Sequence, residues 1–425
     1  MQIRNLRWWI AALLAAASAL SYLDRQSLPV AVVEIHKTIP ITDTQYSWLV
    51  ALFLLSYGLM YAIGGRIIDL LGTKRGYALM ITWWSLATIF HGFVTNVLEL
   101  GIARFLLGIG EGGGFPGSAK AVSEWFPAKE RSFAFGIFNT GSSLGAVAAP
   151  PLIAFVIIEF SWRWVFYFTG LLGIAWLGFW WKLYDRPNEH KLITADERKY
   201  LQVSLPGSSS PSQVSVIPWA RLFQYRQTWG LVLSSLVSNS AWYFFIFWLP
   251  KYLADVRHLD IAHIGYYAWI PYAFAGAGSF VGGWFSSFLI ARRVSLDHSR
   301  KIALGISAGV MPASLFIVRS PLSVAIIFFS VAFLGFQFWS TISQTVASDI
   351  FPASTVGSII GLMGAAGSLG AVLFNVLVGW FLTHYHSYSA VMTIVGLLLP
   401  LSFFIILFVV GRIEPLDQPE NLATP

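Results

Sequence analysis

Two stretches of the sequence align with each other without a gap: EWFPAKERSFAFGIFNTGSSLGAV at residues 124–147 and DIFPASTVGSIIGLMGAAGSLGAV at residues 349–372. The constant offset is 225 residues, and it pairs the Phe-Pro turn at Phe126 with the one at Phe351. Because this turn lies outside the predicted helices, chance similarity between two glycine-rich helices is a poor explanation of the match. The alignment predicts that the chain consists of two similar halves arranged in parallel.

The composition is that of an integral membrane protein. Of the 425 residues, 56% are hydrophobic and only 11% are charged, and the mean hydropathy is +0.67. A helix needs about 20 apolar residues to cross the hydrocarbon core, so twelve crossings and their loops use most of the chain. This excludes a large soluble domain. The sequence contains no cysteine, which excludes disulfides, thiolate metal sites and a cysteine nucleophile.

Apolar runs bounded by charged or turn residues predict an all-α membrane protein with twelve transmembrane helices. With the repeat, they predict two six-helix bundles related by a parallel pseudo-twofold axis. The predicted domains are an N-terminal bundle (1–183), a cytoplasmic linker loop (184–226), a C-terminal bundle (227–411) and a cytoplasmic tail (412–425). The helices are expected near residues 8–33, 46–68, 76–95, 97–122, 132–158, 162–183, 227–251, 261–290, 301–318, 321–345, 354–383 and 387–411.

The distribution of Lys and Arg predicts the orientation in the membrane. Of the 27 Lys and Arg residues, 20 lie in loops and tails on the side of the N-terminus, five lie on the other side and two lie within predicted helices. Because positively charged loops stay in the cytoplasm, both termini are expected there. The net charge of +7 therefore indicates topology and no nucleic-acid partner. The stretch SLPGSSSPSQ at residues 204–213 predicts a flexible linker between the halves.

Several motifs resemble those of one family. GRIIDLLGTKR at residues 65–75 is similar to the inner-loop signature of the major facilitator superfamily, which the chain also resembles in repeat and topology over its whole length. Within that superfamily, YLDR at 22–25, RFLLGIGEGGGFPG at 104–117 and EWFPAKER at 124–131 resemble the anion:cation symporter family. GIFNTGSSLGAVAAPPL at 136–152 is similar to the bacterial hexuronate transporters of that family.

The resemblance also implies a gate at the inner face, formed by Gly65, Asp69, Lys74 and Arg75. The match is incomplete, because Leu70 stands where the signature usually has a basic residue. The fifth helix lacks the Gly-Pro ending that is typical of proton antiporters. This difference favours symport.

Four ionisable residues lie deep inside predicted helices: Asp24 and Arg25 in the first, and Arg104 and Glu111 in the fourth. A charge at the bilayer centre costs from a few to over ten kcal/mol, so such residues indicate a functional site. Their charges sum to zero, which allows burial by mutual pairing. Adjacent residues point about 100° apart on a helix, so Asp24 and Arg25 need partners elsewhere. A purely structural ion-pair cluster joining the two helices is the alternative.

An arginine is a natural ligand for the carboxylate of a sugar acid, because the planar guanidinium binds both oxygens. The resemblance implies that Arg25 has this role, that Glu111 and Asp24 are protonation sites, and that Arg104 is the charge partner that tunes them. Protonation of an acid frees the arginine for the anion, and the bound anion favours proton uptake in return. This reciprocal coupling is the physical basis of symport.

The second half has no ionisable residue at comparable depth. Aligned on SYLDRQSLP at residues 21–29, the seventh helix is WYFFIFWLP at residues 242–250, where Phe245 and Ile246 replace the charged pair. This half is expected to supply neutral polar groups and rings, although helix packing is an alternative role for them. The predicted substrate-binding residues beside Arg25 are Tyr22, Tyr57, Trp242, Tyr243, Gln337 and Asn375, of which Tyr22 and Tyr57 rest on the resemblance.

The sequence thus predicts a proton-coupled symporter that imports a sugar-acid anion, a hexuronate such as glucuronate or galacturonate, by alternating access. Its expected partners are this anion, protons and the lipid bilayer. The protein is expected to be a monomer in the inner membrane, with no cofactor and no metal. His91, His384 and His386 are expected near the outer face as surface residues.

Other functions stay open. The substrate is alternatively an aldonate such as galactonate, an aldarate or a dicarboxylate, although a dicarboxylate favours a second cation at depth. A substrate sensor that kept the transporter scaffold is a further alternative. An intramembrane enzyme is disfavoured, because the sequence has no HExxH motif, no paired deep histidines and no cysteine.

Overall fold

The computed structural model describes residues 2–204, 219–351 and 353–416 of the chain. Most of these residues are helical. The α-helices are α1 (Leu6–Thr38), α2 (Asp43–Leu71), α3 (Thr73–His91), α4 (Val97–Gly112), α5 (Gly114–Trp125), α6 (Ala128–Glu159), α7 (Trp162–Leu183), α8 (Ala195–Ser204), α9 (Trp219–Leu222), α10 (Arg226–Asp255), α11 (Ile261–Ala291), α12 (Leu296–Val310), α13 (Leu322–Ile350), α14 (Ala353–Tyr385) and α15 (Tyr388–Ile405). A 3-10 helix (Met311–Phe316) follows α12, and a π-helical turn (Ile406–Val410) follows α15.

Within the described residues, eight helices are long and apolar enough to cross a membrane. The other predicted crossings correspond to α2, to α3, to α4 followed by α5, and to α12 followed by the 3-10 helix. The ninth predicted helix, 301–318, is therefore not continuous, because its α-helical part ends at Val310 and Pro312 lies in the 3-10 helix. A proline cannot donate the backbone hydrogen bond that would extend an α-helix.

The fourth predicted helix, expected over 97–122, is two helices that meet at Gly113. Three consecutive glycines centred on this residue have low helix propensity, and Pro116 lacks the N–H that would continue the hydrogen-bond ladder. A Cβ atom at Gly64 would lie 2.8 Å from the Cα of Gly113. The backbone of α2 therefore packs directly against the break, two residues after Glu111.

The described helices group into two compact units. The first unit contains the whole first half together with parts of α10, α11, α14 and α15, so the units do not follow the repeat in the sequence. The predicted boundaries at 183 and 227 therefore stay a prediction about the repeat. The first unit comprises Met1–Ser212, Tyr243–Ala273 and Ala371–Val391, and the second comprises Gln213–Trp242, Phe274–Gly370 and Met392–Pro425.

The segment predicted as a linker loop contains two helices, α8 and α9. Glu197 on α8 accepts hydrogen bonds from the backbone N–H groups of Leu6 (2.8 Å) and Arg7 (3.2 Å), and it pairs with the Arg7 guanidinium (2.8 Å). These bonds satisfy N–H groups that a helix N-terminus leaves without a partner. The first part of the linker is thus attached to the start of α1. Residues 205–218, which include most of SLPGSSSPSQ, lie outside the described residues.

Helix α6 packs closely against α1 through two glycines. A Cβ atom at Gly141 would lie 2.0 Å from the carbonyl oxygen of Ala15, and one at Gly145 would lie 2.4 Å from that of Ala19. Small residues at such positions allow backbones in a membrane to approach. The two glycines therefore allow the backbones of α1 and α6 to come into contact.

The repeat is visible in the packing of the second unit. In the first unit, Ser18 on α1 shares a hydrogen bond of 2.5 Å with Ser142 on α6. The two sequence alignments place Asn239 at the position of Ser18 and Gly367 at that of Ser142. A Cβ atom at Gly367 would lie 2.6 Å from Nδ2 of Asn239, so the equivalent residues are also neighbours. This supports the weak alignment of the seventh helix on the first.

Replacement of Gly141 by alanine is predicted to destabilise the protein by roughly 1–3 kcal/mol, because the added methyl group meets a backbone atom that cannot move away by a rotamer change. Gly136→Ala on the same helix is the matched control, since a Cβ atom there meets nothing within 4 Å. The control should be neutral or stabilising by up to about 1 kcal/mol. Thermal unfolding in detergent measures both, and equal stability of the two variants would contradict the packing.

Candidate functional site

The first and fourth predicted helices are joined by a buried ion pair between Arg25 on α1 and Glu111 on α4. Nε and Nη2 of Arg25 donate to Oε2 of Glu111 at 3.1 and 2.9 Å. Oγ of Ser21 donates to the same oxygen at 3.1 Å. The side chains of Arg25 and Glu111 are 5% and 0% exposed. The pair therefore compensates two charges that the interior could not hold separately.

The guanidinium of Arg25 is surrounded by aromatic rings. Its Cζ lies 4.7 Å from the ring centroid of Tyr57, 4.9 Å from that of Tyr22 and 5.6 Å from that of Phe53. Such cation–π contacts hold the planar group in one orientation. Glu111 engages the Nε and Nη2 side of the guanidinium and not Nη1. The two predicted tyrosines thus lie beside the predicted carboxylate ligand.

Two of the rings beside Arg25, those of Phe53 and Tyr57, belong to a longer aromatic row on α2. Phe53, Tyr57 and Tyr61 are four residues apart, and successive centroids lie 5.7 and 6.0 Å apart. The row continues with Phe115 of α5, whose ring centroid lies 5.7 Å from that of Tyr61. Sequence reasoning missed Phe53 and Tyr61, although the spacing of four residues places all three rings on one helix face.

Arg104 is fully buried behind aromatic rings. Its Cζ lies 4.4 Å from the ring centroid of Phe53 and 6.0 Å from that of Phe247. Within the described residues, none of its three guanidinium nitrogens has a hydrogen-bond partner. Arg104 interacts electrostatically with Glu111, but it is not the hydrogen-bonded partner of that acid. Its tuning role stays a prediction.

Asp24 points away from Arg25, as the helical angle between adjacent residues predicts. It is 1% exposed, and the hydroxyl groups of Thr88 on α3 and Thr169 on α7 are its polar neighbours. Neither carboxylate oxygen has a geometrically formed hydrogen bond to a described residue. The two threonines were missed, because single hydroxyl residues in apolar helices give no pattern.

Two of the predicted binding residues of the second half belong to the first unit. Tyr243 stacks on Phe247 with centroids 6.2 Å apart and interacts electrostatically with Arg25. Asn375 is 0% exposed, and its amide accepts from Nε1 of Trp248 at 2.7 Å and donates to the carbonyl of Ala371 at 2.8 Å. Tyr243 therefore joins the cluster, whereas Asn375 serves helix packing in this conformation.

The other two predicted binding residues, Trp242 and Gln337, belong to the second unit. Trp242 is 8% exposed and stacks on Phe336 with centroids 5.0 Å apart. Gln337 is half-buried on α13, and its backbone carbonyl accepts a hydrogen bond from the hydroxyl of Thr341. These contacts agree with the helix-packing alternative for Trp242 and leave the Gln337 amide without an assigned role.

The predicted gate residues lie at the junction of α2 and α3. Lys74 pairs with Asp185 at 2.8 Å, so its observed partner is not the expected Asp69, whose side chain lies outside the described residues. Gly65 is half-buried, and a Cβ there would meet Pro116 at an ordinary 3.5 Å. Arg75 is exposed. The sequence could not identify Asp185, because it lies 111 residues away from Lys74.

The prediction for His91 is wrong, whereas His384 and His386 are exposed as expected. His91 is 0% exposed at the last position of α3, where its ring stacks on Phe166 with centroids 4.9 Å apart. The helix end was read as a surface position, but α7 covers it. No group of three or more His, Asp or Glu residues within the described chain is arranged to hold a metal ion.

The first unit is closed at the side that carries the α1–α2 loop. The hydroxyl of Tyr46 donates to the carbonyl of Phe247, and Lys251 pairs with Asp43 at 2.8 Å. Further contacts join Thr44 to Thr383 at 2.7 Å and Tyr388 to Asp255 at 3.1 Å. The first three contacts connect α2, from the first half of the repeat, with α10 and α14 from the second half, and the fourth connects α15 with α10.

An apolar groove of about 520 Å³ lies between α1, α6 and α7, lined among others by Leu13, Leu144 and Trp176. No charged side chain lines it. The groove therefore offers no charged group to an anion, unlike the buried cluster around Arg25.

A duplicated set of membrane helices with buried charges is the arrangement of secondary transporters. The chain belongs to the Major Facilitator Superfamily, whose family model matches residues 14–343. The fold and the relatives are those of transporters and not of enzymes. The all-α fold with twelve membrane helices and the family resemblance predicted from the sequence are thereby confirmed.

Two characterised relatives are sugar-acid transporters. The chain is 33% identical over 385 residues to the hexuronate transporter of Escherichia coli (strain K12), covering 89% of this chain and 88% of that protein. It is 32% identical over 323 residues to the galacturonate transporter of Dickeya chrysanthemi, covering 75% and 94%. The crystal structure of a D-xylose-proton symporter has the same fold, with a TM-score of 0.73, 14% identity and coverage of 95% and 98%.

A disulfide between Thr44→Cys and Thr383→Cys is predicted to stop transport, because alternating access requires the closed side to open. The two hydroxyl oxygens lie 2.7 Å apart, and the chain has no other cysteine that could react. Uptake should fall to background on oxidation and return on reduction, while each single variant stays active. Full uptake by the oxidised double variant would show that this side does not open.

Proposed function

We propose that the protein is a proton-coupled symporter that imports a sugar-acid monoanion, a hexuronate such as glucuronate or galacturonate. The observation that carries the proposal is the guanidinium of Arg25, which is held by a single oxygen of Glu111 and enclosed by Tyr22 and Tyr57. The similarity to two sugar-acid transporters supports the same substrate class.

The cluster suits both parts of a sugar acid. The carboxylate binds the planar fork of Arg25, which is always charged and donates two parallel hydrogen bonds. The apolar C–H face of the sugar packs on Tyr22 or Tyr57, while their hydroxyl groups bond to sugar hydroxyls. Tyr243 adds a third phenol from the seventh helix of the repeat.

Proton coupling follows from competition for Arg25. Ionised Glu111 occupies Nε and Nη2 of the guanidinium, so the substrate carboxylate and this acid compete for one cation. A proton on Glu111 removes the competitor, and linkage requires that the bound anion favours that proton equally. Each pH unit supplies about 1.4 kcal/mol per proton. One proton per monoanion makes transport electroneutral, and a second proton on Asp24 makes it electrogenic.

The burial of Arg104 favours a monoanion over a dicarboxylate. A second carboxylate needs a second cation, but Phe53 and Phe247 cover Arg104, which is 0% exposed. An aldonate such as galactonate offers the same single carboxylate and is the second candidate substrate. A substrate sensor is disfavoured, because the ion pair has the competitive arrangement that coupled transport requires.

The excess of Lys and Arg on one side supports an inner-membrane protein with both termini in the cytoplasm. In this orientation the closed side, with Lys251 and Asp43, faces outwards. The function needs no cofactor, because the proton gradient supplies the energy, and one chain contains the complete cluster around Arg25, so a monomer suffices.

Uptake of labelled glucuronate and galacturonate into proteoliposomes tests the proposal, with and without an inward proton gradient. Unlabelled hexuronate should compete, galactonate should compete more weakly and succinate should not compete. Gradient-dependent uptake with this order of competition supports both coupling and substrate class. Uptake that does not depend on the proton gradient contradicts the proposal. So does competition by succinate when hexuronate does not compete.

Glu111→Gln is predicted to abolish proton-driven accumulation while substrate exchange across the membrane continues, because glutamine is neutral in every step and cannot carry a proton. Glu159→Gln is the control, since Glu159 is an exposed acid at the end of α6. Accumulation and exchange are measured on the same proteoliposomes. Normal uphill uptake by Glu111→Gln would remove this acid from the coupling mechanism.

Arg25→Lys is predicted to weaken hexuronate binding by roughly 10- to 100-fold, because a compact ammonium cannot bind a carboxylate through two parallel bonds. Isothermal titration or a thermal shift with hexuronate measures the affinity. Arg319→Lys, at an exposed position, should leave it unchanged. Equal affinity of the Arg25→Lys variant and the unmodified protein would exclude Arg25 as the carboxylate ligand.

A further inference from the structure

Helix α3 carries a buried polar stripe on one face. Trp84, Thr88 and His91 follow one another at spacings of four and three residues, which places them on the same side of the helix. Each is at most 1% exposed. Nε1 of Trp84, Oγ1 of Thr88 and Nε2 of His91 all lack a hydrogen-bond partner within the described residues.

Asp24 meets this stripe from α1. Both of its carboxylate oxygens lack a formed hydrogen bond, and so does Oγ1 of its neighbour Thr169 on α7. Thr88 is the neighbour on α3. We refer to Asp24, Thr88, Thr169 and His91 as the Asp24 pocket, which lies entirely within the first unit.

The charges that face the Asp24 carboxyl come from α4. They are Glu111, a like charge, and Arg104, an opposite charge, while α3 and α7 contribute only the hydroxyl groups of Thr88 and Thr169. His91 faces the charge of Arg104 and the ring of Phe166. Glu111 is also the partner of Arg25, so the substrate cluster acts on Asp24 through this one charge, whereas Thr88, Thr169 and His91 make no contact with Arg25 among the described hydrogen bonds and ring contacts.

Buried polar atoms without partners are rare, because each costs about 1–3 kcal/mol. Here Thr88 and Thr169 place such atoms beside the Asp24 carboxyl group, and His91 adds another on the same face of α3, three residues after Thr88. A polar site of this kind is where proteins hold internal water, which typically makes about three hydrogen bonds. Chains of acids, histidines and hydroxyl groups in membrane proteins typically carry protons.

We propose that the Asp24 pocket binds water and conducts the coupling proton to Asp24 by a route separate from the substrate cluster. A hydronium in the pocket gives its proton to a carboxylate oxygen of Asp24, leaving water and a neutral acid. This inference rests on the proton coupling proposed above. It goes further by assigning Thr88, Thr169 and His91 to the reaction.

The route begins at the end of α3. His91 is the last residue of that helix, and Nδ1 donates to the carbonyl of Ala87 at 2.7 Å. This bond leaves Nε2 as an acceptor, which is buried and has no hydrogen-bond partner within the described residues. The loop after His91 closes the end, where Tyr167 donates to the carbonyl of Gly92 at 2.8 Å. Opening of this loop admits water to the stripe.

The test removes the two hydroxyl groups without changing side-chain volume, in the double variant Thr88→Val/Thr169→Val. Thr82→Val is the matched control, because Thr82 lies on the same helix and its hydroxyl bonds only to the carbonyl of Ala78. Proteoliposomes report proton-driven hexuronate uptake and hexuronate exchange. The ratio of proton-driven uptake to exchange should fall about tenfold in the double variant and stay unchanged in the control.

Infrared difference spectroscopy provides a second readout that does not depend on transport. The band of the protonated Asp24 carboxyl is identified by its absence in Asp24→Asn. It should shift in Thr169→Val alone, because a hydrogen bond through water is lost, and it should not shift in Thr82→Val. This single variant also decides the question where the double variant does not fold.

The outcomes separate the two proposals. Uptake by the unmodified protein that ignores the proton gradient overturns the proposed symport. The proposed role of the Asp24 pocket is overturned if the double variant retains the full proton coupling of the unmodified protein. It is also overturned if the Asp24 band is the same in Thr169→Val and Thr82→Val. Either result leaves the proposed symport intact. A reduced ratio together with a shifted band supports it.

Discussion

The ion pair of Arg25 and Glu111 is the constraint on which the rest of the first unit depends. Two charges in an apolar interior are tolerated only with good geometry and further polar contacts. Ser21 donates a hydrogen bond to Glu111, and the rings of Tyr22 and Tyr57 make cation–π contacts with the guanidinium. Its geometry depends on close backbone packing, since a Cβ at Gly108 would lie 2.0 Å from Oγ of Ser56 and one at Gly141 would lie 2.0 Å from a carbonyl of α1. In the proposed mechanism, the same cost that makes the pair hard to bury makes it sensitive to one proton or one anion.

The sequence revealed the fold and the charges but not most of their partners. Length, hydropathy and the repeat were sufficient for twelve helices, because these properties are local. Partner choice depends on helix rotation and on which distant element covers a residue. This is why the pairing of Lys74 with Asp185 and the burial of His91 were not foreseen. Asn375 is predicted to bind substrate, yet its side-chain oxygen accepts a hydrogen bond from Trp248.

The two halves of the repeat have kept their packing and changed their chemistry. The contact of Ser18 with Ser142 has its equivalent in Asn239 and Gly367. At the positions of Asp24 and Arg25, the second half has Phe245 and Ile246, which are fully buried apolar residues. Among the described residues, the duplicated scaffold thus has its deeply buried charged pair in one half only. In the proposed mechanism, the binding of one proton and of one anion is coupled there.

The attachment of α8 to α1 affects how the motion of this protein can be observed. Glu197 is 6% exposed and binds the first residues of α1. The start of the central linker is therefore expected to move together with the six membrane helices of the first half. A fluorophore or spin label on α8 would therefore report the movement of those helices as a body. An additional domain fused to α8 would therefore move together with these helices and would not be flexibly linked to them.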